Sequence, residues 1–350
     1  MELKENSRLM NFHCGIESNR LLRLPVFAMN RKLCLVPMLL VLSVSSAPPS
    51  GLADKFADQR LTLDALRQRY GDPDGRVAEI GGVEVYYKDQ GKGPAILMIH
   101  GSRSSLRTWD RVAPELLDRY RVIRYDLPPN GLSGPVSDEA VDRMEPADLA
   151  AGLLDHVGTD QVTCVGVSSG GTTCMYLAAT YPDRVNRLIM SNSPSDPVTT
   201  DHVNHPPAFR AALEEFVETG FESENFINLF LDFYSGDPRR ISEQTRREYY
   251  DFNRRVKEPN PVAMIGLVAD HEKARKAMAS VRAPALLIWG GRDALLIPAA
   301  AGTLAGYLEN TQVSTVFMPD VGHYPPLESP VRFAKIVAAY LEAATPDDVN

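Results

Sequence analysis

Along most of the chain, short apolar runs alternate with segments whose apolar positions recur at helical spacing. Residues 83–88 alternate apolar and polar side chains like a half-exposed strand, whereas 95–99 are wholly apolar. Residues 122–125, 162–167, 188–190, 285–289 and 313–317 repeat that short continuous pattern, which suits strands covered on both faces. Helical patterns lie between them at 109–117, 146–157, 170–181, 298–308 and 331–343. A further amphipathic stretch, 55–70, ends at Gly71-Asp72-Pro73. Strands alternating with helices predict an α/β fold: a mostly parallel sheet with helices on both faces.

One region breaks the alternation. Between about 197 and 279 no strand pattern occurs, only helical segments such as 208–218 and 242–255, punctuated by Pro206-Pro207, Gly236-Asp237-Pro238 and Pro259-Asn260-Pro261. Aromatic side chains crowd it, among them Phe209, Phe216, Phe226, Phe230, Tyr234 and Tyr249. Most are expected to pack the inside of a helical insertion, with some facing a ligand, since pockets are lined mainly by apolar and aromatic groups.

Residues 1–53 differ from the rest. From Met29 a short basic start, Arg31-Lys32, precedes an apolar run to Val44 and then Ser45-Ser46-Ala47, the pattern of an export signal ending at 47 or 53. A periplasmic or secreted protein without a stable membrane span after processing is therefore expected. The net charge of −8 argues against nucleic-acid binding, which needs a basic face. Of four cysteines, Cys14 and Cys34 fall in the leader, and Cys164 and Cys174 are expected as free core thiols on diverging elements. No Cys/His cluster suggests a metal, and no cofactor is expected.

The strongest chemical signal is Gly166-Val167-Ser168-Ser169-Gly170, after a strand pattern and before a helical one. A serine on so sharp a turn is thrust out above the sheet edge, and flanking glycines avoid the clashes that side chains would cause. A serine hydroxyl needs a base within reach, and the base needs an orienting carboxylate. His323, in the loop after the last strand pattern, and His100, at the end of another, have telling surroundings. Asp293 closes the 285–289 strand pattern, and Asp196 is the rival acid. Ser168, Asp293 and His323 would share the carboxyl edge of a parallel sheet, where such sheets bind ligands.

Several ordered segments carry a resemblance: His100-Gly101, Trp109, Asp126-Leu127-Pro128, Gly131-Leu132-Ser133-Gly134, the Ser168 turn, Pro182-Asp183-Arg184-Val185, Asp293, and Gly322-His323 with Pro325 and Glu328. From about 77 to 341 the chain resembles the α/β-hydrolase superfamily, in which serine, acid and histidine occur in this order. The resemblance implies an eight-stranded sheet, core segments 54–196 and 280–350, and a helical cap over 197–279. It assigns Ser168, Asp293 and His323 to catalysis and the backbone N–H groups of Ser102 and Ser169 to an oxyanion hole. His100, Gly101, Gly166 and Gly170 become supporting residues. Pro128-Pro129-Asn130-Gly131 departs from the Gly-x-Gly many members carry there, and a serine at 168 argues against the carboxylate-nucleophile dehalogenases and epoxide hydrolases. The expected activity is hydrolysis of an apolar or aromatic ester or lactone of small to medium size. Carbon–carbon bond hydrolysis, perhydrolysis and proline iminopeptidase activity are alternatives, and a non-catalytic receptor is the reading from another class. Arg103 and Arg124 are candidates for a substrate carboxylate, with an ordinary salt-bridged role as the alternative.

Overall fold

The computed structural model describes residues 55–343 apart from 146, 201 and 257–267. The leader expected over 1–53 and the 257–267 stretch of the insertion lie outside the described residues. Eight strands form one sheet: β1 (Arg76–Ile80), β2 (Val83–Gln90), β3 (Ala95–Ile99), β4 (Arg121–Tyr125), β5 (Val162–Val167), β6 (Val185–Ser191), β7 (Ala285–Gly290) and β8 (Val313–Met318). Their spatial order is β1-β2-β4-β3-β5-β6-β7-β8. The β1–β2 and β2–β4 pairs are antiparallel, and every pair from β4 to β8 is parallel.

β1 is absent from the sequence reading. It is short and mixed in polarity, with Ala78 and Ile80 buried and its other residues exposed. The turn that joins it to β2 is Gly81-Gly82, both at positive φ (60° and 85°), the backbone that a two-residue hairpin requires.

Side-chain alternation splits the sheet's two faces into two cores. In β3, Leu97 and Ile99 pack into one cluster and Ile96 and Met98 into the other. β7 does the same, with Leu287 and Trp289 opposite Leu286 and Ile288. The first face is covered by helices Asp148–His156, Ser169–Thr180 and Ala299–Tyr307, and the second by Trp109, Val112 and the helix Pro330–Glu342 through Phe333 and Val337. Each core strand is thus apolar on both sides, which is why its sequence reads as a continuous run.

Three expectations need correction. The helix expected at 109–117 is two short 3-10 turns, Leu106–Trp109 and Ala113–Glu115, because Pro114 has no N–H to continue a helix from the first. The 55–70 segment is a 3-10 turn, Ala57–Gln59, and a separate helix, Leu63–Tyr70, capped by Thr62. Leu61 between them is drawn out to form a β-bridge with Arg255. Cys164 and Cys174 are joined in a disulfide. The helix after Ser168 folds straight back over its own strand, so the two Cα atoms lie 5.6 Å apart rather than on diverging paths.

Between β6 and β7 stand the helices Pro207–Thr219, Glu224–Tyr234, Glu243–Asn253 and His271–Ser280. Three begin at a side-chain cap, Ser223, Ser242 and Asp270, each contributing about 1 kcal/mol. The N-terminal segment straps this insertion to the core. Leu61 N–H donates to Arg254 O (3.1 Å) and Val256 N–H to Leu61 O (2.8 Å). Phe56 stacks on Phe221 with ring centres 4.4 Å apart. Buried Asp251 accepts from Arg69 (2.7 Å), the Tyr70 hydroxyl (2.6 Å) and Arg254 (2.8 Å). Burial alone would raise the Asp251 pKa, but these donors overcome it and hold the carboxylate below its ordinary range.

The disulfide closes a short loop around the Ser168 turn, and its loss should cost roughly 3 kcal/mol of stability. Denaturant melts of the Cys164→Ala/Cys174→Ala protein should show that loss, and non-reducing peptide mapping should find the two cysteine peptides linked. Free alkylation of both thiols in unreduced, denatured protein would contradict the pairing.

Candidate active site

Ser168 occupies the turn from β5 into helix Ser169–Thr180 with φ 53° and ψ −128°, a conformation that L side chains rarely adopt. Its surroundings enforce it. Ser168 N–H donates to Ser191 O at the end of β6 (2.9 Å), and Gly171 N–H donates to Ser168 O (3.0 Å). A Cβ at Gly166 would overlap the Gly170 backbone, and one at Gly170 would overlap the carbonyls of Ile99 and His100. The two glycines let strand and helix close together and press the turn against the end of β3. Gly101 lies against the nucleophile candidate itself, where an added Cβ would sit 3.0 Å from Ser168 Cβ.

A cavity of about 70 Å³ opens over this turn. Gly101, Ser102, Arg103, Ser168, Ser169 and His323 line it, and its other walls include Val198, Phe230, Val268, Leu295, Leu296 and Leu327. The sheet edge and the insertion both contribute. Of the insertion's aromatics, Phe230 and Tyr249 reach the cavity, while Phe209, Phe216 and Phe226 pack on one another with ring centres 5.1 to 6.0 Å apart.

His323 presents one ring nitrogen to a carboxylate: Nδ1 lies 2.7 Å from Asp293 Oδ2, and both residues are buried. With Nδ1–H donating there, Nε2 is left to take a proton. The His323 backbone is pinned by its N–H donating to Tyr234 O (2.8 Å). Glu328 ties the same loop to the insertion, accepting from Gly322 N–H (2.9 Å) with one oxygen and from the N–H groups of Gly236 and Asp237 with the other.

Asp293 is dry but well satisfied. Oδ1 accepts from the N–H groups of Leu295 (2.8 Å) and Leu296 (2.9 Å), and Oδ2 accepts from Asn192 Nδ2 (2.6 Å) besides His323. Asn192, just past β6, had no place in the sequence reading. Its backbone at φ 44° and its place beside the end of β7 emerge only in the folded chain, and nothing in the sequence around it names a partner. Its own Oδ1 accepts from Gly290 N–H (3.2 Å), so one amide locks the ends of two strands to the acid.

The rival acid, Asp196, lies elsewhere: it accepts from Ser195 and Tyr307 and faces His271 Nε2 at 2.7 Å on the surface. His100 is a prop. Burial pushes its ring down to about 4, so it is neutral. One ring nitrogen accepts Leu127 N–H (2.9 Å) and the other donates to Gly101 O (2.7 Å). Asp126 anchors the next loop, accepting from Leu106 and Leu132 N–H groups, with burial pushing its carboxyl up to about 7. Arg124 pairs with Asp110 (2.7 Å) in a structural role. Arg103 lines the cavity but is paired with Glu222 (2.8 Å).

The sequence model of the alpha/beta hydrolase fold matches residues 94–330, which hold every element of this site. The chain belongs to the α/β-hydrolase fold family. Among its relatives is the 2-hydroxymuconate semialdehyde hydrolase of Pseudomonas sp. strain CF600, 28% identical over 77% of this chain and 94% of that protein. The pimeloyl-[acyl-carrier protein] methyl ester esterase of Nitrosomonas europaea is 27% identical over 71% of this chain and 96% of the relative. The enol-lactonase of Burkholderia xenovorans LB400 shares the fold, with a TM-score of 0.60 at 20% identity over 77% of this chain and all of that one. These α/β-hydrolase relatives are named for different substrates, so the common ground is hydrolysis on this scaffold.

Removing the Asn192 amide leaves a buried carboxylate one donor short. Asn192→Ala should cost about 1.5–3 kcal/mol in denaturant melts, and Asn192→Asp should cost more by placing a second carboxylate against Asp293. Unchanged melting in both variants would show that Asn192 does not hold the acid.

Proposed function

We propose that this α/β-hydrolase is a serine hydrolase that cleaves a carboxylic ester or lactone through an acyl-enzyme on Ser168. The observation that carries the proposal is the shared cavity: a serine held at positive φ and a histidine oriented by a buried carboxylate line the same space. Ser168 Oγ attacks the carbonyl carbon while His323 Nε2 takes its proton, and Asp293 stabilises the imidazolium so formed. The backbone N–H groups of Ser102 and Ser169 receive the developing oxyanion, each worth roughly 3 kcal/mol. The intermediate expels the alkoxide, which takes the proton from His323. Water then attacks the acyl-enzyme, giving its proton to His323, which returns it to Ser168 as the acid leaves. No metal or cofactor enters these steps.

The apolar walls support a small to medium apolar or aromatic substrate. In this reading the helices between β6 and β7 act as a cap that selects it, since Phe230, Tyr249 and Val268 from that region line the same cavity as Ser168. The Cys164–Cys174 disulfide suits an oxidising compartment, in keeping with the export signal read from Met29.

Steady-state hydrolysis of p-nitrophenyl esters of increasing acyl length tests the proposal. Ser168→Ala should lower kcat by a factor on the order of 10⁴ or more. A folded wild-type protein inactive on every ester would overturn the reading and shift attention to carbon–carbon or amide bonds or to binding.

A further inference from the structure

The cavity's polar groups are sorted in a way that narrows the substrate. Ser102 and Ser169 hydroxyls engage each other (3.0 Å), and Ser104 and Thr108 do the same (2.5 Å) with the Tyr249 hydroxyl bonded to them. The hydroxyl of Tyr324 is different: it is buried and has no hydrogen-bond partner among the described residues. Tyr324 lines the cavity, is nine-tenths buried, and follows His323 in the chain, with its ring centre 5.4 Å from the imidazole. Burial pushes its phenol well above the ordinary range, so it stays protonated and able to donate. A buried donor without an acceptor calls for an explanation, and a substrate oxygen supplies one.

The same cavity is poorly suited to an anion. Among the described residues lining it, Arg103 is the one Lys or Arg, and its guanidinium is held by the carboxylate of Glu222, with both side chains nearly buried. The positive charge is matched before a ligand arrives.

We propose that Tyr324 is a specificity-determining residue that donates to a neutral oxygen (hydroxyl, carbonyl or ether) close to the scissile carbonyl, so that oxygenated esters are preferred over plain alkyl esters and over acidic ones. This rests on the ester-hydrolase reading and specifies its substrate class. A site built to hydrogen-bond such a group discriminates against analogues lacking it, because the donor is then left buried and unpaired.

The test uses the full chain with three probes: p-nitrophenyl butyrate, p-nitrophenyl 3-hydroxybutyrate and the p-nitrophenyl monoester of succinic acid. Wild-type kcat/KM should be about tenfold or more higher for the hydroxy ester than for butyrate, and lowest for the succinate. In Tyr324→Phe the hydroxy-to-alkyl ratio of kcat/KM should collapse toward one. Equal wild-type rates on hydroxy and alkyl esters, or a preference for succinate, would overturn the proposal even if the variant failed to fold. So would an unchanged ratio in a folded variant. A Ser168-dependent burst of p-nitrophenol from p-nitrophenyl acetate separates the two levels: with the burst present, those results sink only the selectivity, and without it the hydrolase reading falls as well.

Discussion

The turn at Ser168 constrains everything around it. A serine backbone at φ 53° is held only because the surroundings over-determine it: a hydrogen bond to the end of β6, contacts with the end of β3, and two glycines that let β5 and its helix close. The cost of such a conformation is of order 1–3 kcal/mol, which packing elsewhere must offset. The disulfide from β5 to the helix brackets the same turn, so covalent and packing constraints act on one short segment. What results is a serine backbone fixed at the sheet's carboxyl edge, which in the proposed reaction removes an ordering cost.

The proposed acid and base, Asp293 and His323, are fixed by a different device, hydrogen bonding in a dry setting. Asp293 gains four donors, from Leu295, Leu296, Asn192 and His323, so both of its oxygens are satisfied despite burial. His323 is held from behind by that carboxylate and from its loop by Tyr234 and Glu328, both of which reach the insertion. The insertion in turn is strapped to the core by the N-terminal segment through Asp251 and the Leu61–Arg255 bridge. Base geometry, cavity wall and strap therefore form one connected arrangement.

What could be read from the sequence follows from what each residue does locally. Seven strands are legible as short apolar-rich runs, although β8, at the sheet edge, is mostly exposed rather than covered on both faces. The placement of Ser168, Asp293 and His323 beyond strand ends is legible because each follows such a run. β1 is not legible, since its exposed polar residues mask two buried ones, although the Gly81-Gly82 turn is there to be read. The pairing of Cys164 with Cys174 and the grip of Asn192 on Asp293 depend on distances between elements, which periodicity does not encode. Across 109–117 the apolar spacing suggests one helix, but Pro114 within it breaks the run into short 3-10 turns.

The central claim is that Ser168 is the nucleophile, and covalent trapping tests it most directly. The protein would be treated with a fluorophosphonate and its peptides mapped by mass spectrometry. The account predicts one stoichiometric adduct on the peptide bearing Ser168, lost in His323→Ala. An adduct on another residue, or none on a folded protein, would contradict it.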